Sequence, residues 1–204
     1  MDKIELKTER WDEGAPIGNG KIGSIVYGSN PIKITVDRTD LWDLRPNEVT
    51  LEKGFNYANL VRLSTSGIPE DWKERERLFE DIFMGKPYPS KITAGRIELT
   101  FTPQLKNARY VLDISSAIVK IYDEDELAAE VFTDYITLVG AVKLYRKASV
   151  KIHVPTYLSS ASENGSGIGD KDVGVTLGYP KAELKTSGDF KWYEQNTHTD
   201  YSFG

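Results

Sequence analysis

The sequence predicts a mainly β protein, an antiparallel β-sandwich with one substantial helix. Three observations predict it. From Gly95 onward, short runs of alternating apolar and polar residues follow one another with only turns between them. Aromatic residues make up 11% of the chain, with 11 Tyr, 7 Phe and 4 Trp, and such side chains suit a pleated, half-buried surface. Helical spacing is convincing over one stretch, near Pro69 to Met84.

The elements follow in order. Lys3 to Thr8 reads as a strand, with Ile4 and Leu6 alternating with charged residues. Residues 11–20 carry four breakers in Trp11-Asp12-Glu13-Gly14-Ala15-Pro16-Ile17-Gly18-Asn19-Gly20. Strands are expected at Ile22–Tyr27 and Ile32–Val36, and Gly18-Asn19-Gly20 suits a tight connection between strands. In the helix, Pro69 occupies the first turn and Glu70 and Asp71 favour the positive end of the macrodipole. Trp72, Leu78, Phe79, Ile82 and Phe83 are expected to pack against a sheet, and Gly85 with Pro87 ends the helix.

Later strands are expected at Arg96–Phe101, Tyr110–Ile114, Ile118–Tyr122, Leu127–Tyr135, Leu138–Leu144 and Val150–Val154. Ser159–Asp170 has the composition of a loop, and Val173–Leu177 and Phe190–Gln195 read as two more strands. No helical periods intervene after Gly95, which favours a sandwich over an α/β fold.

Composition excludes several classes of function. The net charge of -5 carries no basic footprint, so neither a nucleic-acid nor a membrane partner is expected. No apolar run approaches the roughly 18 residues of a membrane span. Cysteine is absent, which removes disulfides, thiolate zinc sites and Cys nucleophiles. With no apolar signal segment after Met1, the expected location is cytoplasmic.

Catalytic machinery is equally sparse. His153 lies in an expected strand and His198 in a polar turn, too far apart in sequence to argue for zinc, so no metal site and no cofactor are expected. Gly18-Asn19-Gly20-Lys21-Ile22-Gly23 looks like a phosphate loop but is followed by strand signals rather than a helix. Glu124 to Glu126 reads as a solvated hairpin tip. Asp37-Arg38-Thr39-Asp40-Leu41-Trp42-Asp43 sets an indole among hydrogen-bonding groups. Sugars bind in such surroundings, stacking C–H faces on an aromatic ring. The same residues also read as a buried Trp with a capping Asp and a surface ion pair, and both readings stand at this point.

Two segments add a family resemblance. Trp11 to Gly28, with Pro16-Ile17-Gly18-Asn19-Gly20 at its centre, resembles the opening signature of glycoside hydrolase family 95 and its relatives. Thr39-Asp40-Leu41-Trp42 is similar to the family's Thr-Leu-Trp segment, with Val36-Asp37-Arg38 standing where the family has Asn-Glu-Asp. Arg109-Tyr110-Val111-Leu112-Asp113-Ile114 is similar to a later element of the same family.

The resemblance implies that residues 1–204 are the N-terminal β-sandwich, of supersandwich type, of a carbohydrate-active enzyme of the α-L-fucosidase kind. It also implies that the catalytic (α/α)6 barrel lies outside this sequence, with carbohydrate reached through the full enzyme. The ending at Tyr201-Ser202-Phe203-Gly204, in mid-pattern, fits a fragment truncated at its C-terminal side. No catalytic residue is therefore expected, and the segment alone should be inactive. Gly18, Asn19, Gly20, Asp37, Arg38 and Trp42 are the expected substrate-rim or interdomain residues, lying at one end of the sandwich. Two other classes of function compete: an autonomous carbohydrate-binding module, and a protein-interaction sandwich. A sugar module presents an aromatic platform on an exposed face, whereas a supporting domain shows an apolar patch.

Overall fold

Alternation along the chain dictates two sheets whose apolar faces must find each other. A computed structural model describes residues 2–81, 89–92, 94–154 and 182–196. The expected strand Val173–Leu177, the loop Ser159–Asp170, His198 and the helix residues Ile82 to Met84 with Gly85 and Pro87 lie outside the described residues.

In chain order the strands are β1 (Lys3–Leu6), β2 (Ala15–Gly18), β3 (Ile22–Tyr27), β4 (Ile32–Arg38) and β5 (Trp42–Asp43). Helices α1 (Tyr57–Thr65) and α2 (Pro69–Phe79) follow, then β6 (Ser90–Lys91), β7 (Gly95–Phe101), β8 (Ala108–Asp113) and β9 (Ile118–Asp123). The remainder is β10 (Glu126–Thr133), β11 (Gly140–Leu144), β12 (Ala148–His153), β13 (Glu183–Ser187) and β14 (Phe190–Glu194). Among the described residues, strand accounts for 45% and helix for 18%. The described residues divide into two units, one of residues 2–41, 92, 94–154 and 183–193, the other of residues 42–81, 89–91, 182 and 194–196.

The first unit holds the sandwich. One sheet has the order β1-β8-β9-β10-β11 and the other β12-β7-β4-β3-β2, and every pairing in both is antiparallel. Period-2 alternation decides which side chains meet between them. Ala15, Val26, Ile32, Ile34, Leu99 and Phe101 from one sheet pack with Tyr110, Val119, Ile121, Ala129 and Val131 from the other in a single buried cluster. A buried bond crosses this core, the Tyr110 hydroxyl donating to the Gly28 carbonyl. The small hairpin β13–β14 also belongs to this unit as far as Tyr193.

The second unit holds α1, α2 and the ribbon β5–β6. The Asn56 side chain accepts from the Asn59 amide at 2.9 Å and starts α1. Pro69 opens α2 with Glu70 and Asp71 in its first turn, as its sequence predicts. Leu63 and Leu78 are sealed together with Val49, and Phe55 and Phe79 stack with centroids 5.1 Å apart.

The mainly β reading therefore holds, with differences that have physical causes. A second helix, α1, accompanies the expected one. The stripe on α2 packs against α1 and the turn at Val49 rather than against a sheet. Trp72 is no part of the buried cluster, although seven residues at about 100° each bring it within about 20° of Phe79 around the helix. It stays exposed, with the Arg75 guanidinium over its ring at 4.5 Å. Ala15–Gly18, within the breaker-rich segment, is an edge strand, where the missing N–H of Pro16 is tolerated.

Candidate functional site

The expected rim residues of the sandwich unit do converge. Gly18-Asn19-Gly20 connects β2 to β3, and Gly20 adopts φ 87°, a conformation that favours glycine. The register sets Gly18 against Gly23, Gly23 against Asp37, and Ile22 against Arg38. The Thr39 amide then donates to the Lys21 carbonyl at 3.0 Å. Gly18, Asn19, Gly20, Asp37 and Arg38 thus share one end of the sheet.

Asn19 organises that end. Its Oδ1 accepts from the Lys21 and Ile22 amides at 3.0 and 2.8 Å, closing the hairpin locally. Its Nδ2 donates to the carbonyls of Asp134 and Thr137 at 2.7 and 3.0 Å, more than a hundred residues away in sequence. Those carbonyls belong to the connection between β10 and β11. Asp134 Oδ2 accepts there from the Ile136 and Thr137 amides and from the Thr137 hydroxyl, at 3.2, 2.6 and 2.6 Å. The Thr137 hydroxyl foremost, and then its amide, hold the Asp134 carboxyl below the usual carboxylate range. On this fixed loop Tyr135 is 87% exposed and Ile136 88% exposed.

Alternation alone predicts strands through Tyr135 and from Leu138 and so misses this loop. The available signal was Asp134-Tyr135-Ile136-Thr137, an Asp able to bond amides two and three residues on.

The Asp37–Asp43 segment resolves into separate roles. Asp37 Oδ1 accepts from the Arg38 amide at 2.7 Å. Arg38 makes a two-pronged pair with Asp40 at 3.0 and 2.6 Å, exposed at the surface. Arg38–Asp40 is a surface ion pair, while the buried Asp43 carboxylate accepts from the amide and guanidinium of Arg45, and the cap of the next helical turn is Asn47. The buried Trp of the alternative reading is not found. Trp42 is 45% exposed, opposite Lys91 in β5–β6, with the Lys91 ammonium 5.6 Å from the ring centroid. Trp42 belongs to the helical unit, and the structure groups it with Lys91 and Asp43.

His153 is a strand residue in β12, its Nε2 2.7 Å from Glu98 Oε2, with Arg96 on the other carboxylate oxygen at 3.1 Å. Glu124, Asp125 and Glu126 are exposed at their hairpin, as their sequence predicts, while Asp123 beside them is buried. Among the described residues, no helix is long and apolar enough to cross a membrane.

The arrangement provides fixed backbone, exposed apolar side chains and surface ion pairs. Residues 5–198 match the family described as glycosyl hydrolase family 65, N-terminal domain. No curated protein matches the chain. The match names family 65 where the motifs resemble family 95, and the two agree on an N-terminal domain of a glycosyl hydrolase. A match over nearly the whole sequence makes this chain a member of the glycosyl hydrolase family 65 N-terminal domain family.

Proposed function

We propose that this chain is the non-catalytic N-terminal sandwich of a glycoside hydrolase of the family 95, α-L-fucosidase-like kind. Its role is to support a catalytic (α/α)6 barrel carried by the same polypeptide. Gly18, Asn19, Gly20, Asp37 and Arg38 form the interdomain or substrate-rim end of the sandwich. Trp42 offers sugar an exposed indole on the helical unit.

One observation carries the reading. Six hydrogen bonds hold the loop from Asp134 to Val139 in one conformation while Tyr135 and Ile136 stand in solvent. Keeping two large apolar side chains exposed forgoes about 1.5–3 kcal/mol apiece relative to burial. Two adjacent apolar side chains held outward on a fixed loop are what a covering domain would pack against.

The test has two arms. The 204-residue chain should turn over no aryl glycoside, α-L-fucoside included, above buffer. In the polypeptide that carries the catalytic domain, Tyr135→Ser with Ile136→Ser should lower the midpoint of thermal inactivation. Turnover by the chain alone, abolished on mutating one carboxylate, would overturn the proposal.

A further inference from the structure

Asn19-Gly20 joins an amide side chain to a residue that leaves its own backbone nitrogen uncrowded. That nitrogen can attack the Asn19 side-chain carbonyl carbon, Cγ, and close a five-membered imide. Gly20 is exposed at φ 87°, and nothing lies within 4 Å of the point where a Cβ would stand, so water reaches the pair.

The Asn19 amide is nevertheless held at both ends. Nδ2 donates to the carbonyls of Asp134 and Thr137, and Oδ1 accepts from the amides of Lys21 and Ile22. Ring closure pulls Cγ onto the Gly20 nitrogen and expels Nδ2, which moves both ends of the amide off their partners. The two carbonyls meet Nδ2 only while the β10–β11 connection keeps its shape. Asp134 sets that shape, because its Oδ2 takes the Ile136 amide, the Thr137 amide and the Thr137 hydroxyl. Its own amide donates to the Val139 carbonyl at 2.9 Å.

We propose that Asn19 is a deamidation site which the β10–β11 connection keeps shut, a latch that reacts when the two loops part and then prevents their rejoining. In the first step the Gly20 nitrogen bonds to Cγ and gives up its proton, and Nδ2 leaves with that proton as ammonia. Water then opens the imide at one carbonyl or the other, leaving aspartate or isoaspartate at position 19. At neutral pH neither product has a side-chain N–H for the carbonyls of Asp134 and Thr137, and each sets a negative charge against them. Isoaspartate also carries the main chain through the former side-chain carbon, which alters the turn between β2 and β3. All these contacts lie within the sandwich unit, so the latch does not depend on the supporting role.

The experiment incubates the full chain at mildly alkaline pH, native and in guanidinium chloride. Mass spectrometry follows the change from amide to acid in the tryptic peptide of residues 11–21. Peptide mapping keeps it apart from Asn164-Gly165, which has the same two residues. Native conversion should be about thirtyfold slower than in denaturant, a factor of a little over two for each of four bonds. Asp134→Ala loosens the connection without touching the reacting pair and should speed the native reaction about fivefold, the share of the two bonds that Nδ2 donates. Thr137→Val removes only the hydroxyl bond and should speed it about twofold. Circular dichroism checks folding, and if Asp134→Ala does not fold, the Thr137 variant decides. In converted chains hydrogen exchange at the Ile136 and Thr137 amides should quicken. Native conversion as fast as in denaturant overturns the latch, as does a native rate unchanged in the folded variants. Unchanged exchange at those amides after conversion overturns it too.

Discussion

Replacing Asn19 with alanine tests whether the end of the sandwich is held as the structure indicates. The substitution removes two bonds donated to the carbonyls of Asp134 and Thr137 and two accepted from the amides of Lys21 and Ile22. An average intramolecular hydrogen bond contributes about 0.5–1.5 kcal/mol net. Asn19 is half-buried, so water replaces part of what is lost, and the lower end of that range applies. Four bonds at about 0.5 kcal/mol give a loss of about 2 kcal/mol. For a chain of this size that corresponds to a melting point lower by about 4–8 °C.

Urea denaturation measures the loss, and hydrogen exchange locates it at the Ile136 and Thr137 amides. Asn19→Asp keeps an acceptor for the Lys21 and Ile22 amides but sets a carboxylate against the two carbonyls, so at neutral pH it should also be less stable than the wild type. A cost below about 0.5 kcal/mol for Asn19→Ala, the scatter of ordinary surface substitutions, would refute the argument that this residue ties the two loops.

Two further predictions concern the turns at the opposite side of β9. Asp123 accepts from the amides of Lys106 and Asn107 and pairs with Arg146, and the Asn107 amide foremost holds its carboxyl below the usual range. Asp123→Ala should cost about 2–4 kcal/mol at neutral pH. Because the folded pKa is depressed, that contribution disappears as pH falls through it, so wild type and variant should converge in acid-titrated urea melts. Glu124 holds φ 58° at the β9–β10 turn with its side chain in solvent. Glu124→Gly should raise stability by about 0.5–1 kcal/mol, read as a higher urea midpoint at unchanged slope.

Much of the fold was written locally. Ile22–Tyr27 appears with the bounds its alternation predicts, and β7 to β10 and β14 start and stop within a few residues of expectation, because a half-buried strand must alternate wherever it lies. Pro69, Glu70 and Asp71 likewise mark the start of α2 through interactions within one turn. Gly18-Asn19-Gly20 was legible as a connection between strands for the same reason.

What remained hidden depended on partners distant in sequence. Ala15–Gly18 is a strand because β3 supplies its ladder, which overrides two breakers in four residues. Helix α1 has only nine residues, too few to stand alone in water, and is stabilised where Leu63 meets Leu78. The role of Asn19 lies in carbonyls 115 and 118 positions along the chain, a pairing no local pattern encodes. Trp42 was open to either reading in sequence, since exposure belongs to the neighbours: Asp43, one residue on, is buried with Arg45 while the indole faces outward over Lys91.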